Sequence, residues 1–166
     1  MNNGFRSTES KKTKPQRLAL CVLFLFEILL LSMPYVAMID DKNNYYSKTM
    51  LDFIFSMNAD DSKWIKLGII AIVYALIPII GFFFASFDKS SCVKCVVACL
   101  CAFLGIFSIT FIIVPQFSAE LTIGAMLAMI VYLIIFAVSV SLALKTIAVK
   151  ALKRQQEEEA REHNEA

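Results

Sequence analysis

Residues 67–87 read LGIIAIVYALIPIIGFFFASF and contain no charged side chain. A bilayer core about 30 Å thick needs roughly 20 apolar residues of helix to cross it, so this stretch is long enough to span a membrane. Three other stretches have the same character: residues 18–38, 95–114 and 121–144. The chain is 58% hydrophobic and only 18% charged, which lies outside the usual globular range and favours lipid as its solvent.

The four stretches are too long and too evenly apolar for barrel strands, and helices satisfy their own backbone groups in hydrocarbon. We therefore predict an all-α fold, a compact bundle of four transmembrane helices. Residues 1–17 are predicted to be disordered, and residues 39–66 to form an outer loop with a short interfacial helix. Residues 145–166 are predicted to continue as a charged helical tail. Nothing in the pattern resembles the broken helix pairs of transporters.

Basic residues divide unevenly among the predicted loops and tails. Of the 16 Lys and Arg residues, 12 lie in residues 1–17, 88–94 and 145–166, and 4 lie in residues 39–66. Short loops rich in Lys and Arg stay on the cytoplasmic side of a membrane. We therefore predict that both termini are cytoplasmic and that the protein lies in the cell membrane.

Glu27 lies near the middle of the first predicted span, among leucines and phenylalanines. An ionised carboxylate there costs roughly 2.5–3.5 kcal/mol on insertion scales. Because no Lys or Arg lies at comparable depth, we expect a protonated carboxyl that donates a hydrogen bond. Candidate partners in the other predicted spans are Tyr74, Ser108, Thr110, Tyr132, Ser139 and Ser141. An assembly role and proton or cation handling both stay open for this group.

The cysteines form a second cluster at the start of the third predicted span, where Cys92, Cys95 and Cys99 share a helical face. Cys92 and Cys95 have the CxxC spacing of redox pairs and metal ligands. The topology resembles that of quinone-reducing thiol oxidoreductases, but those enzymes need outer-facing cysteines, which are absent here. The motif also resembles small mercury transporters, whose first span carries a cysteine pair where this chain has Cys21 alone. We expect small buried side chains, without a metal or cofactor.

Small residues four apart mark the faces on which the helices are predicted to touch, because they let backbones approach closely in lipid. The predicted packing residues are Ala71, Ala75, Ala98, Ala102, Gly105, Gly124 and Ala128.

The basic tail, the Pro34-Tyr35 pair ending the first span and the apolar outer loop resemble small uncharacterised four-span bacterial membrane proteins. The resemblance runs from Arg17 to about Leu144 and implies an architecture without an activity. Claudin-like and tetraspanin-like proteins share the predicted topology, but the outer-loop cysteines that they need are missing.

No P-loop, zinc-binding helix, serine elbow or nucleic-acid-binding stripe is present in the sequence. We therefore predict a non-enzymatic protein that does not bind nucleic acid. Its expected role is that of an accessory or interaction subunit, whose partners are the bilayer and another membrane protein or a second copy of itself. Two alternatives stay open: a small transporter or channel-like oligomer that uses Glu27, and a cytoplasm-facing protein for thiol redox chemistry or soft metals.

Overall fold

The chain folds mainly into helices, which are joined at one end by a small sheet. A computed structural model describes residues 3–39, 45–58, 62–87, 91–117 and 120–165. The elements follow in this order: α1 (Asn3–Leu30), β1 (Pro34–Ile39), β2 (Tyr45–Thr49), α2 (Met50–Phe55), α3 (Ser62–Phe87), α4 (Ser91–Phe107), α5 (Val114–Phe117), β3 (Glu120–Leu121) and α6 (Ile123–Glu165). A 3₁₀ turn, Ser56–Asn58, follows α2, and a π-helical segment, Ser108–Ile113, joins α4 to α5.

Three helical stretches are long and apolar enough to cross a membrane: Trp64–Phe87, Val93–Ile113 and Ile123–Gln156. They coincide with the second, third and fourth predicted spans, which supports the prediction of a multi-pass membrane protein. The first of them continues through Pro78 without interruption. Their outward faces carry large exposed apolar side chains, such as Val73, Phe103 and Leu133, as expected where lipid is the solvent.

The first predicted span, residues 18–38, is not a single helix. α1 ends at Leu30 and, after a turn, residues 34–39 form strand β1. Proline has no backbone N–H and disfavours helical geometry in the residue before it, so Pro34 accounts for the end of the helix. The prediction of one unbroken helix over residues 18–38 was therefore wrong.

Strand β1 is the middle strand of a three-stranded antiparallel sheet in the order β2-β1-β3. It pairs with β2 through Ala37 and Ser47, and with β3 through Val36 and Leu121. This sheet corrects the all-α prediction, since the fold is mostly helical but not entirely so. The pairing satisfies backbone groups that a helix would have satisfied internally.

The structure also gives regular secondary structure to the described parts of the two tails and of the outer loop. Residues 3–17, predicted to be disordered, lie in α1, because an apolar helix that is already nucleated is easily extended into its flanking residues. α6 runs without a break to Glu165. The predicted interfacial helix is short and follows strand β2, and its Met50 and Phe53 side chains are buried against the protein.

One core holds these elements together. α1 packs against α3 and α6, and α4 packs against α6 and α3. All seven predicted packing residues are buried in this core: Ala71, Ala75, Ala98, Ala102, Gly105, Gly124 and Ala128. They therefore pack the helices of this chain against one another and do not lie on its outward surface.

Candidate functional site: a buried carboxyl and three tyrosines

Glu27 lies on the inward face of α1. It continues the row of buried side chains formed by Leu20 and Phe24, which are spaced by three and four residues. Its side chain is only 1% exposed. Among the residues that the structure describes, neither carboxyl oxygen, Oε1 or Oε2, has a hydrogen-bond partner. A buried acid of this kind is costly unless a proton or a cation neutralises it.

The end of the helix makes the electrostatic potential at Glu27 more negative. Glu27 lies in the last turn of α1, three residues before the helix ends at Leu30. The C-terminal end of a helix carries a partial negative charge, which disfavours an acid and favours a cation. Within the described ranges, no basic side chain donates a hydrogen bond to the Glu27 carboxyl. The end of α1 therefore presents negative charge to the interior of the protein.

Three buried tyrosines from three different elements lie within electrostatic range of the carboxyl: Tyr35 of β1, Tyr74 of α3 and Tyr132 of α6. All are at most 1% exposed. The Tyr35 and Tyr74 hydroxyls lie 3.1 Å apart in a hydrogen bond, with their rings edge to face at 5.7 Å. The Tyr132 hydroxyl faces that of Tyr74 but forms no well-aligned hydrogen bond with any described residue.

Two of the predicted packing glycines make room for this cluster. A Cβ atom on Gly105 would lie 2.4 Å from the Tyr132 ring, so α4 must carry glycine there for the ring to fit. A Cβ atom on Gly124 would lie 2.3 Å from the carbonyl oxygen of Pro34, where β1 enters the core. The small residues thus position the tyrosines as well as the helices.

Hydrogen bonds from the start of α6 hold the beginning of β1 in place. The Thr122 backbone N–H donates to the carbonyl of Tyr35 at 3.1 Å, and the Thr122 hydroxyl donates to the carbonyl of Pro34. Non-helical backbone at membrane depth is tolerated only where protein or water satisfies it. These bonds supply that condition for the strand that carries Tyr35.

The π-helical segment Ser108–Ile113 begins one turn after Gly105. Its Ile109 and Ile113 side chains are fully buried, and the Val114 N–H donates to the Ile109 carbonyl across the wider π spacing. The Thr110 hydroxyl donates to the Ile106 carbonyl. Such segments often occur at functional sites, where the extra residue in the turn changes the direction in which the neighbouring side chains point.

The predicted thiol cluster lies apart from this site. Cys95 is buried and Cys99 is half-buried on one face of α4, and the Cys99 thiol faces Ser139 of α6. The side chain of Cys92 lies outside the described residues. In the part of the chain that the structure describes, no group of three Cys, His, Asp or Glu residues is arranged to hold a metal ion.

The structure places Tyr74 and Tyr132, two of the six candidate partners, within electrostatic range of Glu27, and it adds Tyr35. Their role stays a prediction. Tyr35 escaped notice because it was assigned to the end of a helix rather than to a strand that enters the core. The signal that could have revealed it is Pro34, which ends the helix and turns the following residue inward.

Comparison with known proteins returned no matching family model, no matching curated protein and no matching solved structure. The resemblance to small four-span bacterial membrane proteins therefore stays a prediction, and the function has to be inferred from the site.

Proposed function

We propose that this protein binds and passes a proton or another monovalent cation at Glu27, as a small transporter or channel-like membrane protein. The observation that carries the proposal is the buried Glu27 carboxyl, which has no hydrogen-bond partner among the described residues and lies within electrostatic range of three buried tyrosines. Ionisable groups at this depth in a membrane are costly and mark ion pathways by default.

The break between α1 and β1 supports this proposal. In many transporters the binding site lies where a membrane-crossing element is interrupted, and the C-terminal ends of half-helices coordinate cations there. Here α1 ends at Leu30, next to Glu27, and the chain continues as the buried start of β1. The negative helix end and the carboxyl act on the same small volume.

We infer that α1 and β1 together make a fourth, discontinuous crossing. The apolar part of α1, residues 18–30, is about 20 Å long at 1.5 Å per residue. The six residues of β1 add about 20 Å at roughly 3.3 Å per residue. Their combined length exceeds the hydrocarbon core of about 30 Å. Four crossings place both termini on one side, which the distribution of basic residues makes the cytoplasmic side of the cell membrane.

The three phenols give the site its chemistry. Each hydroxyl can donate a hydrogen bond to an ionised carboxylate or accept one from a protonated carboxyl. The cluster can therefore hold Glu27 in either form, with a proton or a small cation balancing the charge. Exchange of one for the other would be the elementary event of transport.

The test is ion flux in proteoliposomes that contain the purified full-length protein, with Glu27→Gln as the variant. Gln keeps the shape of the side chain but cannot exchange a proton or carry the charge. Glu120→Gln is the matched control, because Glu120 is an exposed acid on β3. We expect flux in the wild type and in the control, and its loss in Glu27→Gln with helix content and monodispersity unchanged. Equal flux in Glu27→Gln and the wild type, or none in the wild type, would contradict the proposal.

An accessory subunit remains the second candidate. It is favoured by a row of exposed, stacked rings: Phe103 and Phe107 of α4 and Phe111 of the π-helical segment that follows it. Affinity purification from nanodiscs separates the two candidates. A stoichiometric partner would favour the accessory subunit, whereas a homo-oligomer without partners would favour transport.

The cytoplasm-facing thiol protein also stays a prediction. The double variant Cys92→Ser/Cys95→Ser tests it, since an unchanged function in that variant would remove the thiols from consideration.

A further inference from the structure

An apolar groove runs between α1 and α6, away from the Glu27 site. It is open to the surface along one side and has a volume of about 400 Å³. Ala19 on α1 and Ala137 on α6 contribute only small side chains to its lining. The lining residues are Pro15, Gln16, Ala19, Ala137, Val138 and Ser141.

One end of the groove is polar. The Gln16 side-chain Nε2 donates to the Ser141 hydroxyl at 3.3 Å, while the Gln16 Oε1 atom is buried and has no partner among the described residues. A buried acceptor without a donor typically costs about 1–3 kcal/mol. The Gln16–Ser141 pair therefore closes this end of the groove with polar groups, and its apolar walls lie beside them.

The charges at this end are positive. Arg17 follows Gln16 in α1, just before the apolar run that begins at Leu18. Lys145 lies one helical turn after Ser141, on the same face of α6, and is exposed. The polar end of the groove thus lies where both helices pass from apolar to charged sequence, which is the level of lipid headgroups.

We propose that this groove binds one anionic phospholipid of the inner leaflet. Its acyl chain lies along Ala19, Ala137 and Val138, and its phosphate lies between Arg17 and Lys145. Basic residues at the membrane surface attract anionic headgroups, and the small side chains admit a chain that a larger side chain would exclude. The site does not involve Glu27, and its assignment to the inner leaflet rests on the orientation inferred above.

Native mass spectrometry of the full-length protein tests the proposal. The protein is released from nanodiscs of phosphatidylcholine that contain phosphatidylglycerol with the same acyl chains. We expect one phosphatidylglycerol retained per wild-type chain. Ala137→Leu fills the groove and should abolish retention, whereas Ala148→Leu, at an exposed position further along α6, should not. Lys145→Gln should weaken retention about fivefold, because one basic residue near the surface contributes that much.

Lys66→Gln is the charge control, since Lys66 is exposed on α3, at the other end of the bundle. It should retain lipid as the wild type does. Equal retention of phosphatidylcholine and phosphatidylglycerol would overturn the proposal, because the lipid would then be bound without regard to its headgroup. Retention that is unchanged in Ala137→Leu, or equally reduced in Ala148→Leu, would overturn it too.

Discussion

The hydrogen bond between Tyr35 and Tyr74 offers a sharp test of how β1 enters the core. The two hydroxyls are 3.1 Å apart, and both side chains are at most 1% exposed. Tyr35→Phe and Tyr74→Phe each remove one hydroxyl and leave the other buried without its partner. The double variant removes both, so the two changes should not be additive.

The size of the effect follows from burial. Each single variant should lower the free energy of unfolding by about 1–3 kcal/mol, the typical cost of an unsatisfied buried polar group. The double variant should lose less than the sum of the two. Coupling energies between hydrogen-bonded side chains inside membrane proteins average about 0.6 kcal/mol and reach about 1.7 kcal/mol, and we expect a value in this range because both rings are enclosed.

The assay is reversible unfolding in mixed micelles. The four proteins of this double-mutant cycle, the wild type, the two single variants and the double variant, are measured side by side. Tyr132→Phe is the matched control, since the Tyr132 hydroxyl forms no hydrogen bond with any described residue and should show almost no coupling to Tyr35→Phe. A coupling energy near zero between Tyr35 and Tyr74 would refute the reasoning. So would a Tyr35→Phe variant as stable as the wild type, because Tyr35 would then not lie in the core.

Two further predictions concern α4 and α2. Gly105→Ala should lower the free energy of unfolding by about 1–3 kcal/mol, the usual penalty of overpacking. It should also reduce ion flux, because the Tyr132 ring must move. Leu104→Ala is the control on the outward side of the same turn and should keep the wild-type flux. The backbone N–H of Thr49 donates to the Asp52 carboxylate and lowers its pKa. The stability that this bond gives to α2 is therefore fully present above the unfolded pKa of about 3.9. It is lost as the pH falls through the lower pKa of the folded state. Fluorescence of Trp64, which stacks on Phe53 of α2, should report this acid transition, and Asp52→Asn should abolish it.

The membrane-capable helices could be predicted because hydropathy over about 20 residues depends on composition alone. The strand β1 could not be found in the same way. Its residues, Pro34–Ile39, are apolar enough to continue a predicted span, and a short apolar run does not distinguish a strand from a helix. β3 has only two residues, Glu120 and Leu121, and it exists because β1 lies beside it. Such pairing depends on the path of the chain in space.

The candidate site was partly predictable for a physical reason. A buried acid in an apolar span requires neighbours that tolerate it, and Tyr74 and Tyr132 were among the few polar side chains in the other predicted spans. What the sequence could not supply was the end of α1 beside Glu27, or the return of Tyr35 into the core. Both depend on where Pro34 ends the helix, and together they turned the expected structural or assembly role into a proposal for an ion site.

The most direct test of the ion site is infrared difference spectroscopy of the protein in liposomes, titrated with pH and with sodium. Glu27→Gln identifies the signal of this carboxyl, and Glu120→Gln controls for exposed acids. If Glu27 exchanges a proton for a cation, the wild type and the control should show a carboxyl band that converts to a carboxylate band, and Glu27→Gln should lack this change. A wild-type difference spectrum identical to that of Glu27→Gln would contradict the account.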